Sequence, residues 1–199
     1  TRNAGAVASL RGFISPVRAA RAVMEHTPHV LLVGDGAAQF AAAQSLARVD
    51  DPKSYYTPAE SGLPGSGTIG AVALDISGKL AAATSTGGLG GKMPGRVGDA
   101  PIIGAGCWAD RRAAISCTGL GEYFMRVNAA ADVSARIAYA GQTLDSAALS
   151  VIEDVRELGG YGGLIAVDAH GNIATPFASQ GMKRGLASST GRHEVKTFQ

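Results

Sequence analysis

Apolar residues recur at helical spacing through Val17, Ala20, Val23 and Met24, directly after Ser15-Pro16, a pair that supplies a cap and a first-turn proline. A helix is predicted from Pro16 to about Glu25. Val30 to Val33 form a short apolar strand that stops at Gly34-Asp35-Gly36, and Ala37 to Ala47 read as a second, alanine-rich helix. From Asp50 to Gly67 the pattern lapses into Asp51-Pro52, Thr57-Pro58 and Leu63-Pro64 among Ser and Gly, which predicts an exposed segment where a backbone nick is easily accommodated. Thr68 then opens a strand, Thr68-Ile69-Gly70-Ala71-Val72-Ala73-Leu74-Asp75.

Two stretches repeat one pattern of strand, glycine turn and returning strand. The first runs from Gly70 to Thr84, with Gly78-Lys79-Leu80-Ala81 after the turn; the second runs from Gly163 to Phe177, with Gly171-Asn172-Ile173-Ala174. Such hairpins lie side by side or in facing sheets, and Pro176 confines its strand to an end, a bulge or an edge. Between them, Glu122 to about Ala140 and Leu144 to Leu158 are predicted helices, the second capped by Thr143 and stopped by Gly159-Gly160. Strands, two helices and strands again predict sheets covered by helices.

With 199 residues, 46% hydrophobic and 17% charged, the chain is long enough for one packed domain. Its formal net charge of +2 is too small and too evenly spread to point to nucleic acid or a membrane surface as partner. No stretch approaches the roughly 20 apolar residues of a membrane span, and Thr1-Arg2-Asn3-Ala4 lacks a secretion pattern, so a soluble cytoplasmic protein is expected. Thr1 is not a methionine, so either the start is processed or the chain is part of something longer. The two cysteines, Cys107 and Cys117, read as buried thiols. The 28 glycines concentrate between Gly62 and Gly121, where tight turns or close backbone approach to a ligand are expected.

The candidate chemistry lies in that glycine-rich half. Cleavage before Thr68 would give one residue a hydroxyl nucleophile and a free amine, and an α-amine titrating near about 7.7 to 8.0 serves as a base at neutral pH. Thr84-Ser85-Thr86-Gly87-Gly88 returns hydroxyls toward Thr68; alternatively they only line a turn. Arg96 and Asp99, three apart on a glycine-bracketed loop, suit an amino acid's α-carboxylate and α-ammonium, or else pair with each other. Thr118 and Gly119 offer donors for a developing oxyanion, or form a plain strand-to-helix connection. His26 and His29 have no acidic or thiol ligands beside them, His170 sits in a hairpin turn and His193 in a polar tail. Gly34-Asp35-Gly36 is too short for a dinucleotide fingerprint and no phosphate loop is present, so no nucleotide cofactor is expected.

Together, Gly67 to Asp75, Thr84 to Gly88, Pro94-Gly95-Arg96-Val97-Gly98-Asp99-Ala100-Pro101 with Gly104-Ala105-Gly106, and Ser116-Cys117-Thr118-Gly119-Leu120-Gly121-Glu122 closely resemble the plant-type asparaginases, or isoaspartyl peptidases. The resemblance implies an α+β fold, a four-layer αββα sandwich of the N-terminal-nucleophile hydrolases. It implies self-cleavage between Gly67 and Thr68, with residues 1–67 as the C-terminal part of the α subunit plus linker and 68–199 as the β subunit, together one domain. Thr68 would then hydrolyse asparagine and β-aspartyl dipeptides through an acyl-threonine, assisted by Thr86. Arg96 and Asp99 would hold the substrate, Thr118 and Gly119 the oxyanion, and the Gly121 carbonyl would accept from the substrate ammonium. Small-molecule substrates and a dimer of cleaved αβ units are implied, with no nucleic acid or membrane partner. No catalytic cofactor is implied, only a structural sodium ion whose loop is not visible upstream of Thr1; by this resemblance the sandwich lacks the N-terminal part of the α portion. Two alternatives are a glycosylasparaginase-like hydrolase and a truncated, non-catalytic binding fold.

Overall fold

The computed structural model describes residues 2–51, 55 and 67–198. The predicted exposed segment from Asp50 to Gly67 lies mostly outside these residues. The chain opens with β1 (Ala6–Ala8), α1 (Pro16–His26), β2 (Leu31–Val33) and α2 (Gly34–Ala43), with β1 and β2 pairing in parallel. The first helix keeps its predicted bounds but not its predicted face. Ala19, Ala22 and Val23 are buried while Val17 and Met24 stay exposed, and the Ser15 side chain makes no capping bond. The second helix begins at Gly34 rather than Ala37, with Asp35 in its first turn where a carboxylate suits the helix dipole.

The hairpin of β3 (Thr68–Leu74) and β4 (Leu80–Thr86) forms a two-stranded antiparallel sheet, and its register sets Thr68 opposite Thr86. Its turn is closed by Asp75, whose carboxylate accepts from the backbone of Ser77 and Lys79. Thr84, Ser85 and Thr86 therefore lie in a strand, not in a turn.

A four-stranded antiparallel sheet follows, in the order β5 (Cys107–Ala109), β6 (Ala113–Gly119), β7 (Gly162–Asp168), β8 (Ile173–Ala174). The strand before Pro176 ends at Ala174 and forms the sheet edge, as a missing backbone donor requires. The β3–β4 hairpin packs against β6 and β7 of this sheet, so the two repeated hairpins lie in facing sheets. A Cβ on Gly70 would lie 2.2 Å from Ser116 Oγ, and Thr84 Oγ1 sits 2.7 Å from that same hydroxyl.

The other face of this sheet is covered by α3 (Gly121–Val127), α4 (Ala129–Ala140) and α5 (Leu144–Glu157). Alternation along β6 sends Ala113, Ile115 and Cys117 into the core shared with these helices, and Ser116 toward the β3–β4 hairpin. Helix α5 buries Leu144, Ala147, Ala148, Val151, Ile152 and Val155, a stripe of helical period, and Thr143 caps it by accepting from Ser146 N at 3.3 Å. The single helix expected from Glu122 to Ala140 is two. Asn128 adopts a left-handed conformation (φ 52°, ψ 47°) that ends one helix and begins the next.

The chain ends in an antiparallel hairpin, β9 (Arg184–Ala187) and β10 (His193–Lys196), so His193 lies in a strand rather than in a polar tail. No helix of the described residues is long and apolar enough to cross a membrane.

Candidate active site

The first cluster gathers at the open end of the β3–β4 hairpin. Thr68 Oγ1 donates to Thr86 Oγ1 at 3.3 Å, and Thr86 Oγ1 donates to the carbonyl of Gly67 at 3.2 Å. The Thr86 hydroxyl also accepts from Gly88 N at 3.0 Å. One hydroxyl thus touches both the candidate nucleophile and the carbonyl of the bond preceding it. Lys92 Nζ donates to the Gly87 carbonyl and holds the loop that leaves Thr86.

The second cluster involves the loop before β5 and the start of α3. Asp99 is buried, its Oδ2 has no partner, and burial pushes its carboxyl up to about 6. Arg96 does not pair with Asp99 in the way one reading of the sequence proposed. Its Nε and Nη2 instead donate to the two carboxylate oxygens of Glu122 at 2.8 and 2.9 Å. That contact holds the Glu122 carboxyl below its usual range and raises the guanidinium further. Gly121 lies between the charges: a Cβ there would fall 2.6 Å from Asp99 Oδ1 and 3.2 Å from Arg96 Nη2. A side chain at 121 would fill the space that the two charges face.

Thr118 and Gly119 end β6, paired with Gly163 and Gly162 of β7. Thr118 is two residues beyond Ser116, and strand alternation places it on the face turned toward the β3–β4 hairpin. Gly119 has φ 144°, and a Cβ there would lie 2.4 Å from the Tyr161 carbonyl, so only glycine fits. Among the described residues no hydrogen bond joins the threonine cluster to the Arg96 cluster. They are linked through the facing sheets, where Thr84 and Ser116 meet two positions before Thr86 and Thr118.

Sequence reasoning did not single out Glu122, whose role becomes visible only when the fold brings it to Arg96. His26 Nδ1 lies 2.6 Å from Gln44 Oε1 at the end of α1, and His170 N donates to Asp168 in the second hairpin turn. Burial raises both cysteine thiols, Cys117 most strongly, and both are free.

An α+β scaffold in which the Thr86 hydroxyl joins a threonine to the carbonyl preceding it, with a buried acid and a basic fork forming a separate cluster, has the groups that a self-processing hydrolase requires. A family model described as Asparaginase matches residues 1–63 and 59–197, and the chain belongs to this family of N-terminal-nucleophile hydrolases. It is 49% identical to the isoaspartyl peptidase of Salmonella typhimurium over 96% of this chain and 69% of the relative. It is 46% identical to the isoaspartyl peptidase of Escherichia coli over 96% and 67%, and 40% identical to an isoaspartyl peptidase/L-asparaginase of Rattus norvegicus over 90% and 59%.

Proposed function

We propose that the chain cleaves itself between Gly67 and Thr68 and then hydrolyses L-asparagine and β-aspartyl dipeptides. The observation that carries this reading is the hydrogen-bonded run Thr68–Thr86–Gly67, since it sets nucleophile and scissile carbonyl on one polarising hydroxyl. Thr68 Oγ attacks the Gly67 carbonyl carbon while the Thr86 hydroxyl draws charge onto the carbonyl oxygen. The peptide C–N bond breaks, the Thr68 nitrogen takes up a proton, and Gly67 is left as an ester on Thr68. Water hydrolyses that ester, which frees the Gly67 carboxylate and the Thr68 amine.

In turnover the neutral amine accepts the Thr68 hydroxyl proton as Oγ attacks the substrate's side-chain carbonyl. Ammonia, or the amino acid of a β-aspartyl dipeptide, takes a proton and leaves. Water then releases aspartate from the acyl-threonine. Arg96 holds the α-carboxylate, Asp99 and the Gly121 carbonyl the α-ammonium, and the amides and hydroxyl of Thr118 and Gly119 the oxyanion. The four-layer αββα sandwich, the division into residues 1–67 and 68–199 and a dimer of cleaved units belong to this reading by resemblance, and cytoplasmic residence belongs to it from the apolar pattern of the sequence. Hydroxyl and amine supply the nucleophile and base, so no step runs through the structural sodium ion that the resemblance implies.

Intact-mass measurement tests the reading together with ammonia release from asparagine and leucine release from β-aspartyl-leucine. Two fragments meeting between Gly67 and Thr68, with turnover of either substrate, are expected. A chain that stays unbroken and inactive after long incubation would instead favour a non-catalytic binding fold, and preference for sugar-linked asparagine would favour the glycosylasparaginase alternative.

A further inference from the structure

Arg96 is asked to read a carboxylate while its guanidinium already holds one. The contact with Glu122 is side-on, through Nε and Nη2, and occupies one of the two forked edges of the group. Nη1 has no hydrogen-bond partner among the described residues, and Nη2 keeps a second hydrogen, so the end-on edge formed by Nη1 and Nη2 remains open. This edge is bordered by glycine. Nη1 lies 2.8 Å from where a Cβ on Gly98 would stand, and Nη2 lies 3.2 Å from the corresponding point on Gly121. The latter point is also 2.6 Å from Asp99 Oδ1.

An unrestrained arginine this close to a buried carboxylate whose Oδ2 lacks a partner would turn its fork onto that oxygen, because opposite charges attract strongly where water is excluded. The two groups meant for substrate would then neutralise each other. Glu122 prevents this collapse by engaging the other edge.

We propose that Glu122 is a positioning residue: its side-on grip keeps the Nη1–Nη2 edge of Arg96 open for the substrate α-carboxylate and keeps the guanidinium off Asp99. The inference rests on the asparaginase reading and adds to it a division of labour between the two edges of one side chain.

The test compares cleaved wild type with Glu122→Ala and the near-isosteric Glu122→Gln on L-asparagine and on its uncharged α-amide. Glu122→Ala is expected to raise KM for asparagine about tenfold with kcat within about twofold, and Glu122→Gln to fall between it and wild type. On the α-amide the penalty should shrink to about twofold or less, since no carboxylate engages the fork. An equal rise in KM on both substrates, a fall in kcat alone, or no change overturns the proposal, as does a Glu122→Gln protein that no longer cleaves itself. Calorimetric titration with aspartate and with aspartate α-amide reads the same edge without turnover. Glu122→Ala should weaken aspartate about tenfold and leave the amide unchanged, and equal binding by wild type and variant overturns the role. Wild type that turns over neither asparagine nor β-aspartyl-leucine defeats the asparaginase reading instead, and the titration still decides the role of Glu122.

Discussion

The threonine cluster and the Arg96 cluster are held by different forces. Around Thr68 the contacts are between neutral groups, 3.0 to 3.3 Å long, on a strand whose next residue, Ile69, is 75% exposed. Around Arg96 they are charged and shorter, 2.8 and 2.9 Å, and join residues 26 apart in sequence. In the proposed cleavage the Thr68 nitrogen changes from amide to amine and Thr86 gives up its contact with the Gly67 carbonyl, so weak neutral bonds suit this cluster. The proposed binding side undergoes no covalent change and can be built to its final form by ion pairing before any substrate arrives.

Replacing Thr68 should break the comparison at its root. Thr68→Ala removes the hydroxyl proposed to attack, so self-cleavage and ammonia release should both fall by roughly 10^4-fold or more. Intact mass and a coupled ammonia assay read this directly, and normal turnover by the variant would defeat the proposed mechanism. Thermal stability should barely move, because one partly exposed hydroxyl with a long hydrogen bond contributes little.

Thr86→Val keeps the shape of the side chain and removes the hydroxyl that donates to the Gly67 carbonyl. Loss of one donor to a developing oxyanion costs about 10^2 to 10^3-fold, and this is the slowing expected for self-cleavage. A time course by intact mass checks it. Cleavage at the wild-type rate would mean that the contact of Thr86 with Gly67 is incidental to the reaction.

On the charged side, Gly121→Ala places a methyl group 2.6 Å from Asp99 Oδ1. The same methyl group would fall 2.8 Å from the Asp99 backbone nitrogen, too close to be kept, so Asp99 should be displaced and KM for asparagine raised by about 10 to 100-fold. Self-cleavage should proceed as in wild type, since Gly121 has no part in the threonine cluster. A variant impaired equally in both steps would show that the clusters are less independent than their hydrogen bonds indicate.

The two clusters also differed in how far the sequence disclosed them. Thr68 and Thr86 are brought together by one local hairpin, whose turn residues Asp75 to Lys79 fix the register, so alternation and turn chemistry made their meeting one of two readings, the other being that Thr84 to Thr86 line a turn. Arg96 and Glu122 meet through tertiary packing, and loop spacing instead suggested Arg96 with Asp99. The break at Asn128 was hidden in a run of good helix formers, because nothing in their periodicity reports a single left-handed residue. The β9–β10 hairpin was missed because its strands are short and largely exposed, leaving no buried face to impose an apolar alternation. The facing of the two hairpins, by contrast, was one of two arrangements the repeated pattern allowed.

The smallest effect expected is one of pH on the charged cluster. Asp99 must be ionised to hold an ammonium, and burial raises its carboxyl from 3.8 to about 6. The dissociation constant of aspartate should therefore be about twofold weaker at pH 6 than at pH 8 and weaken further below that, and Asp99→Asn should remove the dependence. Equilibrium binding separates this titration from that of the Thr68 amine, which near about 7.7 to 8.0 governs the chemical step instead. Stability should change in the opposite sense. A carboxyl whose folded pKa lies above its unfolded value favours the fold fully below pH 3.8 and loses that contribution as pH rises through about 6. Thermal melts of Asp99→Asn against wild type should accordingly show the variant gaining relative stability between pH 4 and pH 7. If the difference is flat with pH, Asp99 is not held in the desolvated state that its burial and its partnerless Oδ2 describe, and the ammonium site would have to be sought elsewhere.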